Sequence, residues 1–226
     1  MRALVIEHEP DVPAGLVDDW LFDRGAVPDL YRIATDFLDR DPRGYDLIVT
    51  LGSVVGAHDD TVPWVALEQR LLREAFDADV PVLGICFGSQ SLARAIGGRA
   101  MRADRTEIGW IEIDSRDPSL VPGGPWLQWH QDTFAAPPGA AVLAHSPAGP
   151  QAFTIGRSLG VQFHPEVTAE LVAGWADDSR DELERAGVDP DRLAAEARAH
   201  DLDNRARALA LFDVFFDRVA RIGVAA

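Results

Sequence analysis

Residues 82–98 read VLGICFGSQSLARAIGG. An apolar run ends at Gly84-Ile85-Cys86-Phe87-Gly88, and helical spacing begins at once, closing on Gly97-Gly98. A buried strand that turns sharply into a helix decides the fold, because the same unit recurs on its N-terminal side. RALVIEH (2–8) reads as a buried first strand, and GLVDDWLFDRGA (15–26) as a helix with Leu16, Trp20 and Leu21 on one face. YDLIVTLG (45–52) is a second apolar strand, and WVALEQRLLREAFDA (64–78) a helix led by Pro63. VPVLGIC (80–86) completes the series. Strands alternating with helices predict βαβ units in a largely parallel sheet. Their apolar runs are continuous rather than alternating, as expected of strands covered on both faces.

From about 108 to 164 the texture changes. IGWIEID, PWLQW, AAVLAHS, QAFTIG and LGVQFH are short strand-like pieces separated by Pro and Gly, expected to continue the sheet in antiparallel fashion. Residues 168–222 read as two or three helices, with ALALFDVFF (208–216) as a buried amphipathic stretch and DDSRDELERAG (177–187) as a solvated face. No repeat, low-complexity tract or linker divides residues 1–226, so one α/β domain with the 168–222 helices packed on it is expected.

The chain carries 21 basic against 37 acidic residues, a net charge of −16, which repels a phosphate backbone and argues against nucleic acid. The apolar run Ala3–Ile6 stops at Glu7, short of a signal-peptide core, and nothing approaches the ~18 continuous apolar residues of a membrane helix. Cys86 is the sole cysteine, so no internal disulfide forms; a reducing cytoplasm is the expected location.

In open parallel sheets function collects at the carboxyl ends of the strands. LGSVVGAHDD, CFGSQ and HPEV should meet there. Glycines two residues either side of Cys86 give the pattern of a nucleophile elbow, which holds its central residue strained and exposed. The helix that follows points free N–H groups and its positive end toward the sulfur, an environment suited to a negatively charged nucleophile. A thiol nucleophile needs an imidazole to manage the proton, and the imidazole needs an orienter. His164 and Glu166, two apart in extended chain around Pro165, point to one side and supply both. His58-Asp59-Asp60 offers contiguous ligands that rarely converge on a metal, so none is expected.

GICFGSQ together with VQFHPEV resembles the class I glutamine amidotransferases, the Cys-His-Glu family. The resemblance implies a flavodoxin-like, doubly wound α/β fold with helices on both faces of a mostly parallel sheet. It implies hydrolysis of a γ-carboxamide, usually that of glutamine, through a thioester, with Cys86 as nucleophile, His164 as general acid and base, and Glu166 as its orienter. The oxyanion hole would be formed by the Phe87 N–H and by the loop at Gly52. The family usually writes that loop GGP; here Gly52 stands at the first glycine, Ser53 at the second and Val54 at the proline. Gln90 falls where the family's glutamine contacts substrate. His130 and Asp132 of WHQDTF fall in its substrate-side segment, Asp132 as partner for the α-amino group, and Trp129 as a pocket wall. No cofactor is implied, and no ATP-binding signature is present. Two enzymatic readings remain open: a glutaminase serving a separate synthetase subunit, or a γ-glutamyl hydrolase acting on the amide of a larger amine. A non-catalytic binding module is the third.

Overall fold

The computed structural model describes residues 1–36 and 39–222. In chain order the elements are β1 (Arg2–Glu7), α1 (Leu16–Asp23), β2 (Val27–Arg32), α2 (Ile33–Asp36), β3 (Leu47–Thr50), α3 (Pro63–Asp77), β4 (Val82–Ile85) and α4 (Phe87–Ala95). There follow β5 (Arg99–Glu112), β6 (Asp114–Ser115), β7 (Pro125–Ala135), β8 (Ala141–Ser146), β9 (Gly149–Ile155) and β10 (Ser158–Val161). Helices α5 (Ala169–Asp178), α6 (Arg180–Arg185) and α7 (Pro190–Val214) close the chain, α7 passing into a π-helical turn at Phe215–Ala220.

The main sheet runs β2-β1-β3-β4-β10-β9-β8-β6. Its first five strands are parallel to one another, and the last three add antiparallel neighbours. The continuous apolar strands reflect two cores rather than one. Ala3, Val5, Leu47, Val49, Leu83 and Ile85 face α1 and α7, through Trp20, Leu21, Leu211 and Phe212. Their neighbours Leu4, Ile6, Ile48 and Val82 face α3 and α4, through Val65, Leu72, Leu92 and Ala93. Helices therefore cover both faces, the doubly wound arrangement.

Two elements differ from the sequence reading. VPDLYR forms β2, which the pattern did not suggest because Pro28 and Asp29 interrupt it. It lies at the sheet edge, where one row of backbone groups needs no strand partner and proline is tolerated. PWLQW and all but the end of IGWIEID, expected to extend the sheet, instead belong to a separate antiparallel hairpin, β5–β7, with a register shift between Arg102 and Glu107, while Asp114 enters the main sheet in β6. The hairpin packs through Leu127 on Val167, Val172, Leu183 and Leu193 of the C-terminal segment, a third small core. It thereby stands over the carboxyl ends of β1, β3, β4 and β10.

Candidate active site

Cys86 sits between β4 and α4 with φ 51° and ψ −110°, a conformation that costs a side-chain-bearing residue about 1–3 kcal/mol. The glycines around it are sterically required. A Cβ on Gly84 would lie 2.6 Å from the Gly88 carbonyl oxygen, and one on Gly88 would lie 2.2 Å from that of Thr50. The Cys86 N–H donates to the Val161 carbonyl at 2.8 Å, tying the turn to β10. Phe87 opens α4, so its N–H has no intrahelical acceptor. The sequence pattern suggests an exposed thiol, but Cys86 is only 6% exposed: the hairpin and the chain beyond β10 cover it.

His164 lies three residues beyond β10, its N–H bonded to the Leu127 carbonyl of the hairpin at 2.9 Å. Its Nδ1 is 2.7 Å from Oε1 of the fully buried Glu166. Nε2 is buried and has no hydrogen-bond partner among the described residues. Burial opposes a charge on His164. The Glu166 carboxylate and the nearby Cys86 sulfur outweigh it, holding the imidazole well above its ordinary proton affinity. Trp175 lies edge-on to the imidazole, ring centres 5.3 Å apart. Behind the sulfur, Gln162 Nε2 approaches Sγ at 3.6 Å and Gln162 Oε1 accepts from Gln90 Nε2 at 3.1 Å.

The loop after β3 crosses the Cys–His pair. A Cβ on Gly52 would lie 3.2 Å from His164 Cε1, so glycine fits here and a side chain crowds the imidazole. The Gly52 carbonyl is held by His8 Nδ1 at 2.9 Å. His8 Nε2 is 2.7 Å from Glu68 Oε2, and the Thr50 hydroxyl donates to Glu68 Oε1 at 2.6 Å. Acceptors on both ring nitrogens favour a charged His8. Burial works against this, but Glu68 prevails and the proton affinity of His8 is raised. In a trans peptide the N–H points opposite the carbonyl, so the Ser53 N–H leaves the Gly52–Ser53 peptide on the side away from His8. Neither this N–H nor that of Phe87 has a hydrogen-bond partner among the described residues. Ser53, the departure from the family's second glycine, donates its hydroxyl to Glu9 Oε1 at 2.8 Å and accepts the Val55 N–H at 3.0 Å. Sequence reasoning did not find His8, Glu9 or Glu68. Their signal was an apolar strand ending in Glu-His-Glu, and a carboxylate on the apolar face of α3.

Two cavities meet at Cys86. One, of 260 Å³, is polar and reaches Gln90, Arg102, Trp129, His130, Asp132 and Glu182. Within it His130 is fixed by the Gln128 side chain at 3.1 Å and the Asp132 carbonyl at 2.9 Å. Its Nε2 is 3.4 Å from the buried Glu107, whose proton affinity falls despite burial because His130, Ser146 and the Ala148 N–H bind its carboxylate. Asp132 keeps one carboxylate oxygen 3.4 Å from His58 Nδ1 and the other 3.6 Å from Arg102. The second cavity, of 100 Å³, lies on the His164 side and is walled by Val12, Val54, Trp129 and Trp175. Asp178, read from sequence as merely solvated, is exposed and borders it. His58, Asp59 and Asp60 turn to separate partners, Asp132, Thr61 and Arg94.

A family model described as glutamine amidotransferase class-I matches residues 18–172. The chain is 32% identical over 215 residues to the glutamine amidotransferase-like protein YfeJ of Salmonella typhimurium, covering 88% of this chain and 90% of that one. It is 43% identical over 100 residues to the glutamine-hydrolysing GMP synthase of Thermus thermophilus, a match to 41% of this chain that spans only 20% of the relative's length. The solved glutamine amidotransferase of Thermotoga maritima superposes with a TM-score of 0.87 at 29% identity, over 95% of this chain and 97% of that one.

Proposed function

The chain belongs to the class I glutamine amidotransferase family, and from that premise we propose that it hydrolyses a γ-glutamyl amide, glutamine first among them, through a thioester on Cys86. The observation that carries the reading is the state of His164: one ring nitrogen is held by Glu166 at 2.7 Å, and the other, with no hydrogen-bond partner among the described residues, belongs to an imidazole that interacts with the chain's only thiol.

In this mechanism Sγ attacks the γ-carbonyl carbon while the α-amino and α-carboxylate groups lie in the polar cavity. Asp132 and Glu182 suit the ammonium and Arg102 the carboxylate, with Gln90, His130 and Trp129 completing the walls. The oxyanion is met by the N–H groups of Phe87 and Ser53, which are unsatisfied without it. Gly52 leaves room for the imidazole. His164 gives its proton to the leaving nitrogen and then takes one from the water that cleaves the thioester, while Glu166 keeps the ring oriented. Where the amide is glutamine, the leaving group is ammonia, the nitrogen source that a synthetase acceptor would use.

The test is glutamate release from glutamine by the purified chain, with Cys86→Ala as control. Release that vanishes in the control is expected, together with a covalent adduct on Cys86 when a glutamine-like alkylating agent is added. Equal release from both proteins would sink the assignment of Cys86.

A further inference from the structure

Only one of the two cavities that meet at Cys86 touches His164. The polar cavity, with Gln90, Asp132 and Arg102, does not reach the imidazole. The second is lined by His164 together with Val12, Val54, Trp129 and Trp175, and carries Asp11 and Asp178. This division assigns the two halves of a scissile amide. The bond that breaks is C–N, and its nitrogen must lie within hydrogen-bond reach of the proton on His164 Nε2. The nitrogen is therefore on the His164 side of the carbonyl, and whatever it bears extends into the second cavity.

Ammonia alone would leave that cavity unfilled. Trp129 and Trp175 meet edge to face, ring centres 5.9 Å apart at 87°. Trp175 is anchored by its indole N–H to the Asp11 carbonyl at 2.7 Å. Val54 is 86% exposed, an apolar side chain at the junction of both cavities with nothing over it. Indole rings accept an alkyl chain and attract a cation, and the two aspartates add negative charge. Arg180 in the adjacent helix α6 is committed to Asp177 and Asp191 and does not line the cavity.

Resting on the hydrolase reading above, we infer that the Trp129–Trp175 cavity is a leaving-group site, and that the preferred substrates are γ-glutamyl amides of an apolar amine ending in a cation. The Sγ–C bond forms, and the C–N bond breaks as the His164 proton passes to the nitrogen. The amine leaves through the second cavity. Water, losing its proton to His164, then cleaves the thioester and frees glutamate and the thiol.

The experiment compares glutamate release by the intact chain from glutamine, from γ-glutamyl n-butylamide, and from the same chain capped with an ammonium or with a carboxylate. The ammonium-capped amide is expected to exceed glutamine in kcat/KM by at least about tenfold, with the neutral amide between them and the carboxylate-capped one below the neutral. Val12→Trp, accepted only if its melting temperature matches the parent, is expected to lower turnover of the capped amide more than that of glutamine. Asp178→Asn is expected to narrow the ammonium-to-carboxylate ratio. Hydrolysis of glutamine at a rate equal to or above every substituted amide overturns the leaving-group site and leaves the glutaminase reading standing. Silence on all amides overturns both.

Discussion

The two sides of the Cys86 sulfur are built by different means. Toward the strand ends the backbone itself is the constraint: Gly84, Gly88 and Gly52 each occupy a place where a Cβ would meet another backbone or the imidazole. Toward the hairpin and the C-terminal helices the walls are side chains held across elements: Trp129 against Trp175, Trp175 on the Asp11 carbonyl, Asp132 beside His58 and His130 beside Glu107. In the proposed mechanism the first side fixes where bonds are made and broken and tolerates little change, while the second sets what binds there and can change without disturbing the sheet beneath.

The sharpest way to break that contrast is to add one methyl group on each side. Gly88→Ala puts a Cβ 2.2 Å from the Thr50 carbonyl oxygen, with neither backbone free to move. A loss of roughly 3 kcal/mol or more is expected, seen as insolubility or a fall in melting temperature. Gly174→Ala in α5 meets nothing within 4 Å and gains helix propensity, so its melting temperature should hold or rise. A well-folded, fully stable Gly88→Ala protein would mean the elbow is less confined than these contacts require.

Next in size is Glu166→Gln. The amide keeps the volume but loses the charge that outweighs burial at His164 and keeps the imidazole protonated beside the sulfur. In the proposed mechanism kcat falls by about 10²–10⁴-fold, by the logic of a triad that loses its orienting carboxylate. Steady-state kinetics on glutamine would show the loss in kcat; a loss confined to KM would remove Glu166 from the chemistry.

His8→Gln probes the layer beneath the loop. Without the ring that grips the Gly52 carbonyl, the Ser53 N–H loses its fixed direction, and kcat is expected to drop about 10–10²-fold with KM little changed. A pH signature accompanies it. The folded protein binds the His8 proton more tightly than the unfolded chain, whose ordinary value is 6.5. The stabilisation is thus complete below that value and is lost as pH rises through the higher folded one. The gap in melting temperature between parent and variant should be widest near pH 6 and should shrink in alkali. A gap that widens with pH would show that His8 is held neutral.

These residues also mark how far the sequence could be read. The elbow and the His-Pro-Glu segment were legible because their chemistry is local: glycines two residues from Cys86, and a carboxylate two residues from His164. The parallel strands were legible because burial on both faces leaves an unbroken apolar run. Strand β2 was hidden by Pro28 and Asp29, which only its edge position permits. The hairpin looked like more of the same sheet, since short strands advertise pairing but not partner. His8 and Glu68 lie sixty residues apart, and Trp175 reaches His164 from a helix that the sequence marked only as one of two or three over 168–222. Such pairs are set by how α3 and α5 settle on the sheet, which periodicity does not encode. The same packing buries Cys86, where the elbow pattern alone suggested exposure.

Asp132→Asn tests the side-chain wall with the mildest change. Its carboxylate borders the polar cavity, with Oδ1 buried and without a hydrogen bond and Oδ2 3.4 Å from His58 Nδ1. Asparagine keeps the shape and removes the charge. If Asp132 receives the substrate ammonium, a charge-assisted bond worth about 1.5–3 kcal/mol is weakened in ground state and transition state alike. KM should then rise by about tenfold while kcat and the melting temperature stay near the parent's, the signature of uniform binding. A fall in kcat at constant KM would instead mean that the hairpin also aligns the carbonyl against Sγ. The division between a side that reacts and a side that recognises would then fail at Asp132.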